Sequence, residues 1–485
     1  MIVSKTNIDK ITKLNLKNYL SWLSYDVANT FYAGGILQLM ALSWVLVKGQ
    51  ENGLSYIEAN NMFQITLSVS SIFMAIMLPI LGSISDVLNE RKRFLLVFTA
   101  IAIISTYFFS IASNIYVILV VFSISMIFYQ WAQVFYDSQL QGVVPPGREA
   151  QLSSIAVAIG YLGGGFVIVY AAFLSSNAPN ADPLQGPLTL GYFPELIYLI
   201  IGGFFVFSLP MILVNEIDWA SLSTNSNDAA LIDKSPVKFK ELIKSSFKEL
   251  KDTFISIKDE NRGMLYYILA CFIITDFANL FVLINAAYFR DGLNLNEDIV
   301  LNISILFGAS IVLFSYFIGK IADSYGAKRA FQVIGIIWTL SLLIAVFIDL
   351  PIIIGSFEYT LPINTVYIIA VLMGPAFSGI WISQRQMVLE LVPSEKEIGR
   401  YFGITKFSGK ISSAFGPLIW AGLLIFGESI LDFNLTNSYR VAIFGMAFFL
   451  VIGFLILHYK VPNKHQEFKK RKIDLLSALE YNNSN

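Results

Sequence analysis

The sequence predicts an all-α membrane protein of about twelve spanning helices, arranged as two similar six-helix bundles. Three observations lead to this prediction: an apolar composition, a series of long apolar segments, and a pattern that recurs in the second half. Of the 485 residues, 56% are hydrophobic and 14% are charged, whereas a soluble protein carries roughly 25% charged residues. The mean hydropathy of +0.65 indicates a chain that lies mostly within a lipid bilayer.

Each apolar segment is long enough to cross a bilayer, which takes about 20 mostly apolar residues. Lipid offers the backbone no hydrogen-bond partners, so every span must be helical. We expect spans near residues 19–47, 61–85, 93–112, 115–138, 151–174, 191–214, 263–289, 299–322, 329–349, 363–390, 401–425 and 438–460.

The distribution of basic residues over the short loops predicts the orientation, because Lys and Arg concentrate on the cytoplasmic side. Segments 175–190, 350–362 and 426–437 contain no Lys or Arg. We therefore expect both termini to be cytoplasmic in a multi-pass protein of a prokaryotic plasma membrane. The alternate connections carry the basic residues Arg91, Lys92, Arg93, Arg148, Lys328, Arg329, Lys396 and Arg400.

The longest polar break divides the spans into two sets. From Pro236 onward, apolar residues recur at helical spacing with Lys between them. This pattern favours an amphipathic helix on the cytoplasmic membrane face, although a solvated connector helix would show it too. The predicted organisation is a cytoplasmic N-terminal segment, a six-helix bundle, a cytoplasmic linker, a second six-helix bundle and a cytoplasmic tail, at 1–18, 19–214, 215–262, 263–460 and 461–485.

Three short patterns recur in the same order in both halves. Y-D-V-A-N-T-F at 25–31 lines up with T-D-F-A-N-L-F at 275–281, and G-S-I-S-D at 82–86 lines up with G-K-I-A-D at 319–323. Such repeats are typical of transporters built from two related halves. A weaker match joins V-V-P at 143–145 to L-V-P at 391–393, and its register places Asp137 opposite Arg385.

Each Gly-x-x-x-Asp lies at the end of the second helix of its half and is followed by basic residues. Glycine permits close helix approach, and the Asp can pair with a base or cap a neighbouring helix in one conformation only. The pattern resembles the loop signature of the major facilitator superfamily, although Val87 and Ser324 replace the usual Arg after the Asp. The candidate conformational-switch residues are Gly82, Asp86, Arg91, Lys92, Gly319, Asp323, Gly326, Lys328 and Arg329.

A finer resemblance lies in the first span. S-W-L-S-Y-D-V-A-N-T at 21–30 is similar to the first-helix signature of the vacuole-effluxer family, the autophagy-related amino-acid permeases and their prokaryotic relatives. Residues 160–165 and 409–418 resemble that family's fifth and eleventh helices. The resemblance implies the major facilitator fold and the efflux of amino acids.

Polar side chains inside the apolar segments are the candidate binding and coupling residues. A charge there costs about 2.5–3.5 kcal/mol, so it indicates a functional site. In the superfamily the first, fourth, seventh and tenth helices line the central cavity, and the polar residues fall mainly on these helices. They are Asp26 and Asn29, Gln130, Gln133 and Asp137, Asp276 and Asn279, and Trp381, Gln384 and Arg385.

Several roles are open for these residues. Asp26 and Asp276 could each carry a proton coupled to transport, or could bond neighbouring helices. Arg385 could clamp a substrate carboxylate, or could close a gate by pairing with Asp137. Lys406, with Lys410 after it, could extend to the cytoplasmic interface.

The composition argues against other functions. With Cys271 alone and His458 and His465 at the C-terminal edge, no metal centre or catalytic site is expected. No nucleotide-binding motif appears, and a net charge of −1 gives no sign of nucleic-acid binding. We therefore expect neither an enzyme nor a cofactor.

The predicted function is secondary active transport of a small polar solute by alternating access. The resemblance favours an amino acid, and either H+ or Na+ could be the coupling ion. A cation-coupled sugar symporter and a non-transporting membrane receptor are the alternatives. The expected partners are the solute, the ion and the lipid bilayer, and the expected assembly is a monomer.

Overall fold

The structure is a computed structural model that describes residues 16–88, 90–144, 147–176, 190–214, 239–354, 357–413 and 415–484. Twelve of the described helices are long and apolar enough to cross a membrane. The predicted all-α fold with twelve spans is therefore confirmed. The N-terminal segment up to residue 15 and the first part of the predicted linker, 215–238, lie outside the described residues.

The spans agree closely with the predicted segments. Spans 1 to 6 comprise Leu16–Thr30 with Phe31–Met40 and Ala41–Glu51, Tyr56–Leu88, Arg91–Ile111, Ile115–Ser138, Glu149–Ser176, and Pro194–Ser208 with Leu209–Leu213. Spans 7 to 12 comprise Arg262–Ala287, Glu297–Tyr325, Ala327–Phe347, Val366–Leu391, Ile398–Ser412 with Gly416–Ile425, and Leu435–Lys460.

Two longer helices and a β-hairpin lie between or after the spans, besides short helical turns at Leu140–Val143, Leu190–Tyr192, Tyr288–Gly292, Ile363–Thr365, Glu395–Glu397 and Phe426–Ile430. We call Phe239–Asp259 the linker helix and His465–Ser484 the C-terminal helix. Strands Pro351–Ile354 and Phe357–Thr360 form a small antiparallel hairpin between spans 9 and 10. Because successive spans alternate in direction, the loops after spans 2, 4, 8 and 10 share one end of the molecule with these two helices. That end is called the basic end below.

Spans 1 and 11 depart from regular α-helix within the membrane. Span 1 passes through a π-helical segment at Phe31–Met40. Span 11 is interrupted between Ser412 and Gly416. Pro417 accounts for the interruption, because its ring has no N–H and would clash with the carbonyl four residues earlier. The second half of span 11 therefore begins inside the membrane with backbone N–H groups that lack the usual acceptor within the helix.

The spans place apolar side chains outside and polar side chains inside. Ile65, Val69, Ile72 and Ile76 of span 2 recur at helical spacing and are exposed, as expected for a surface that faces lipid. Buried positions instead include carboxylates, amides and hydroxyls. Lipid gives such groups no hydrogen-bond partners, so they must bond one another between helices.

Candidate transport site and the closed basic end

An arginine from the second bundle lies between two carboxylates of the first bundle. Arg385 Nε lies 2.9 Å from Asp137 Oδ1, and its Nη2 lies 3.5 Å from Asp26 Oδ1. Its Nη1 donates a hydrogen bond of 2.9 Å to Ser153 Oγ. Spans 1, 4, 5 and 10 therefore meet at one guanidinium group, within the membrane and between the two bundles.

A second cation reaches the same carboxylate from span 11. Lys406 Nζ lies 2.5 Å from Asp137 Oδ2, so each oxygen of Asp137 pairs with a different cation. Lys406 therefore pairs with a carboxylate of the opposite bundle, a partner that the sequence did not indicate. We call Asp26, Asp137, Arg385 and Lys406 the charge cluster; its two positive and two negative charges balance.

Two aromatic side chains enclose the guanidinium group. The Arg385 guanidinium lies 5.5 Å from the ring centres of both Trp22 and Tyr136, within the range of a cation–π interaction. The two rings stack at 4.4 Å, and the Tyr136 hydroxyl donates to the Trp22 carbonyl at 3.1 Å. Sequence reasoning missed both rings, although Trp22 precedes Asp26 by one helical turn and Tyr136 adjoins Asp137.

Amide side chains extend the polar surface away from the basic end. Asn29 Nδ2 lies 3.4 Å from Asp26 Oδ1, and Gln133 donates a hydrogen bond to Asn29 Oδ1. Gln133 lies one helical turn from Asp137, and Gln130 is half-buried about one turn further. Two predicted donor and acceptor groups, Asn29 and Gln133, therefore lie directly beside the charge cluster.

Asp276 has different bonding partners from Asp26, its counterpart in the sequence repeat. Its Oδ1 accepts a hydrogen bond of 3.0 Å from the backbone N–H of Gly416, at the start of the second half of span 11. No basic side chain among the described residues lies within 4.0 Å of its carboxylate. The interruption of span 11 supplies the donor, so Asp276 caps a helix, and Asn279 is half-buried one turn away.

The predicted residues of span 10 differ in their surroundings. Gln384 Nε2 lies 3.7 Å from Cys271 Sγ, so this side chain faces span 7. Trp381 meets Phe377 edge to face at 6.3 Å. Phe377 in turn meets Tyr161 of span 5 at 6.5 Å. An aromatic contact thus joins the two bundles near the middle of the membrane.

At the basic end, the first Gly-x-x-x-Asp binds the opposite bundle. Asp86 accepts hydrogen bonds from the backbone N–H groups of Gly399 at 2.9 Å and Arg400 at 2.8 Å. These groups lie in the first turn of span 11, where a carboxylate also interacts favourably with the helix dipole. Arg91 Nη2 pairs with the same carboxylate at 3.1 Å. A side chain at Gly82 would collide with the Gly399 carbonyl.

The second Gly-x-x-x-Asp repeats this arrangement in the reverse direction. Asp323 accepts hydrogen bonds from the backbone N–H groups of Ala150 at 2.9 Å and Gln151 at 2.8 Å. These groups belong to the first turn of span 5, in the first bundle. A side chain at Gly319 would lie 2.7 Å from the Ala150 carbonyl oxygen. Each bundle therefore caps one helix of the other.

The basic residues of the two loops act within their own bundles. Lys92 Nζ donates to the carbonyls of Ile212 at 2.6 Å and Val214 at 2.7 Å, at the end of span 6. Lys328 Nζ donates to the Val461 carbonyl at 2.6 Å, just beyond span 12. These cations satisfy the free carbonyls at helix C-termini.

Gly326 occupies a position that requires glycine. Its φ of +93° is unfavourable for other residues, and a Cβ there would lie 2.7 Å from the Cβ of His465. The backbone N–H of Arg329 donates to the Gly326 carbonyl at 3.1 Å. The loop after span 8 therefore turns tightly beneath the C-terminal helix.

The linker helix and the C-terminal helix both contact the closed basic end. Arg400 Nη1 lies 3.3 Å from Glu249 of the linker helix. His465 Nδ1 lies 2.9 Å from Glu390 Oε1, and Lys472 Nζ lies 3.2 Å from Glu395. Burial lowers the pKa of Lys472 to about 8, although Glu395 opposes the shift. Sequence reasoning assigned these C-terminal residues to a cytoplasmic tail.

A family model and a close-length relative match almost the entire chain. The family model described as Major Facilitator Superfamily matches residues 12–255 and 266–481. An uncharacterized MFS-type transporter, YxiO, of Bacillus subtilis (strain 168) is 26% identical over 463 residues, which cover 94% of this chain and 97% of that protein.

Solved structures of the same fold cover the chain as completely. The proton:xylose symporter XylE, bound to 6-bromo-6-deoxy-D-glucose, superposes with a TM-score of 0.62 at 16% identity, covering 96% of this chain and 99% of that one. The fucose:proton symporter FucP of E. coli gives a TM-score of 0.60 at 13% identity, covering 92% and 98%. At these identities the likeness concerns the fold.

Proposed function

The chain belongs to the Major Facilitator Superfamily, and from that premise we propose that it carries a small polar solute across a membrane by alternating access. The observation that carries the proposal is the charge cluster. Its carboxylates come from the first bundle and its cations come from the second. A charged contact between bundles inside a membrane is costly to maintain, which favours a contact that opens and closes in use.

The contacts between bundles define the proposed state. The paired caps at Asp86 and Asp323 hold the bundles together at the basic end. We assign that end to the cytoplasm, because short loops rich in Lys and Arg stay on that side. The state described is then closed to the cytoplasm.

Protonation offers a way to open the charge cluster. A carboxyl group that gains a proton loses its charge and holds Arg385 less strongly. Asp26 is the best candidate, because its 3.5 Å contact with Arg385 is longer than the 2.9 Å contact of Asp137. A sodium ion beside the same carboxylates would have a similar effect, so the coupling ion is an outcome of the experiment below.

Two solute classes fit different features. An amino acid fits the resemblance of the first span to the vacuole-effluxer family, which stays a prediction, together with the amides at Asn29 and Gln133. A sugar fits the aromatic contact of Tyr161, Phe377 and Trp381, against which a sugar ring could stack. The sugar:proton symporters that share the fold make it the second candidate.

The remaining assignments follow from the same proposal. We propose a monomer in a prokaryotic plasma membrane, with both termini in the cytoplasm, no cofactor and no enzymatic activity. A relative from Bacillus subtilis supports the bacterial setting. A non-transporting receptor would have the same fold, so flux alone distinguishes it from a transporter.

The experiment is a flux assay in sealed liposomes that contain the purified protein. Labelled amino acids and labelled sugars are offered in separate assays, with and without an imposed pH gradient. The proposal expects flux of one class that depends on the gradient, and Asp26→Asn should abolish that dependence. Asp276→Asn is the matched variant from the sequence repeat; it should keep the dependence, because its carboxyl caps Gly416.

Outcomes that contradict the proposal are equally clear. Absence of flux for both classes, with the protein shown to be folded, would favour the receptor. Flux that responds to a sodium gradient but not to a pH gradient would support the transport function and exclude the proton as the coupling ion.

A further inference from the structure

Span 11 carries a second lysine that the charge cluster does not use. Lys410 follows Lys406 by one helical turn and is half-buried. Among the described residues, no carboxylate oxygen lies within 4.0 Å of its Nζ. The two carboxylates of the charge cluster are already paired with Arg385 and Lys406, so Lys410 adds a positive charge that they do not balance.

Lys410 lies too deep for its ammonium to be an interfacial anchor. Arg400, which pairs with Glu249 and Glu397 at the basic end, marks the level of the membrane surface. Lys410 is ten positions further along the helix, about 15 Å at 1.5 Å per residue. That distance is half of a hydrocarbon core about 30 Å thick, so Lys410 lies near the middle of the membrane.

Its position along the helix places Lys410 at the level of the predicted solute-binding amides. Residues four apart share a helix face, so Lys410 extends the face on which Lys406 meets Asp137. Span 4 runs in the opposite direction, and Gln133 lies one turn above Asp137 on the same side. Gln133 already holds Asn29. Lys410 is thus level with this pair, on the side of the charge cluster away from the closed basic end.

We propose that Lys410 is an anion subsite, which binds a carboxylate or another oxyanion group of the transported solute. An uncompensated cation at this depth is costly, and a bound anion would remove that cost by a charge-assisted hydrogen bond. The inference rests on the proposed transport function and narrows it: a zwitterionic or acidic solute qualifies, and a neutral sugar does not.

The test uses flux into proteoliposomes with three named probes: alanine, aspartate and xylose. Lys410→Gln should raise the KM of the carboxylate probe that the wild type carries by about 10- to 100-fold, the equivalent of a lost hydrogen bond to a charged group. Lys410→Arg should keep most of the activity. Lys320→Gln, which removes an exposed lysine of span 8, is the matched control and should leave the KM unchanged.

A chemical rescue separates a binding role from a structural one. In a Cys271→Ser background, Lys410→Cys should regain activity after reaction with 2-aminoethyl methanethiosulfonate, which restores an ammonium group. The sulfonate analogue of similar size, which adds a negative charge, should not restore it. Because each sample is compared with itself before and after reaction, a partly misfolded variant still gives an answer.

The outcomes distinguish the inference from the proposed function. Transport of xylose by the wild type, with no carboxylate probe carried, would overturn the anion subsite and leave the transporter intact. An unchanged KM for the carboxylate probe in Lys410→Gln would also overturn the anion subsite alone. So would equal recovery of transport activity in Lys410→Cys after reaction with either methanethiosulfonate. Failure of every solute to move in the wild type would overturn both.

Discussion

Neutralising the two aspartates that cap helices across the bundles should open the basic end. Asp86 and Asp323 each accept two backbone hydrogen bonds, at 2.8 and 2.9 Å, from a helix of the opposite bundle. Asp86→Asn and Asp323→Asn each keep one carbonyl acceptor but remove the charge and the second acceptor. The hydrogen bonds between the bundles exist only while the bundles are closed, so their loss destabilises the closed state. Asp86→Asn also removes the pair with Arg91 inside the first bundle, so Asp323→Asn is the cleaner of the two substitutions.

The size of the effect follows from the hydrogen bonds lost. A hydrogen bond to a charged group contributes about 1.5–3 kcal/mol, so each substitution should shift the equilibrium towards the open state by about 10- to 100-fold. The two caps lie on different helix pairs with no shared partner, so their effects should be nearly additive. In the double variant, the closed state should be destabilised relative to the open state by about 3–6 kcal/mol.

Distance measurements between spin labels test this prediction. Arg93 in the first bundle and Lys396 in the second are exposed at the basic end, and Cys271→Ser leaves no native cysteine to react. Labels at Arg93→Cys and Lys396→Cys should report a short distance in the parent protein and a growing long-distance population in the single and double variants. Glu51→Gln, at the opposite end, is the control. A distance distribution that stays unchanged in the double variant would refute the reasoning.

Three further predictions follow from other contacts. Gly403→Leu should open the basic end in the same distance measurement, because a Cβ there would lie 2.6 Å from the backbone carbonyl of Leu78; a closed distribution would contradict this. Asp137→Asn should lower the unfolding temperature by several degrees, because Lys406 and Arg385 lose the carboxylate that they share. An unchanged unfolding temperature would mean that these two ion pairs do not stabilise the fold. Docking of the C-terminal helix should strengthen as the pH rises from about 8 towards 10.5. The pKa of Lys472 is about 8 when the helix is docked and 10.5 in the free side chain. Docking therefore releases a proton in this pH range, and a higher pH favours it. The protection factor of the helix amides, which is the intrinsic base-catalysed exchange rate divided by the observed rate, should rise over that range and should not change with pH in Lys472→Met. A protection factor that falls instead would contradict the assignment.

The contacts at the basic end were open to prediction because they depend on local patterns repeated in both halves. Gly82 and Asp86, like Gly319 and Asp323, lie at the end of a span and before basic residues, and the predicted options were pairing with a base or capping a helix. Asp86 does both. The pairing of Arg385 with Asp137 was one of two alternatives, and the register of the repeat placed these residues opposite one another.

The different surroundings of Asp26 and Asp276 could not be predicted from the repeat. Their local sequences match, but the surroundings depend on distant elements: Asp26 meets Arg385 of span 10, and Asp276 meets the free N–H of Gly416. Pro417 was a local sign of the interruption, yet no pattern in the sequence pairs that helix start with span 7.

The C-terminal helix shows a second limit of sequence reasoning. Its basic residues have the pattern of a solvated tail, but Lys472 and His465 are buried against Glu395 and Glu390. These two side chains are buried because the C-terminal helix packs against the basic end of the bundles. A charged segment that binds a preformed surface carries no distinct pattern of its own.

The most direct test of alternating access is to lock the basic end reversibly and measure flux. Gln151 of span 5 and Tyr316 of span 8 lie on opposite bundles, with Gln151 Nε2 donating to the Tyr316 hydroxyl at 3.0 Å. Gln151→Cys and Tyr316→Cys, in the Cys271→Ser background, can be joined by a bifunctional methanethiosulfonate and released by a reductant. We predict that flux of the solute identified in the liposome assay stops on cross-linking and returns on reduction, while each single-cysteine variant is unaffected. Undiminished flux through fully cross-linked protein would contradict the account.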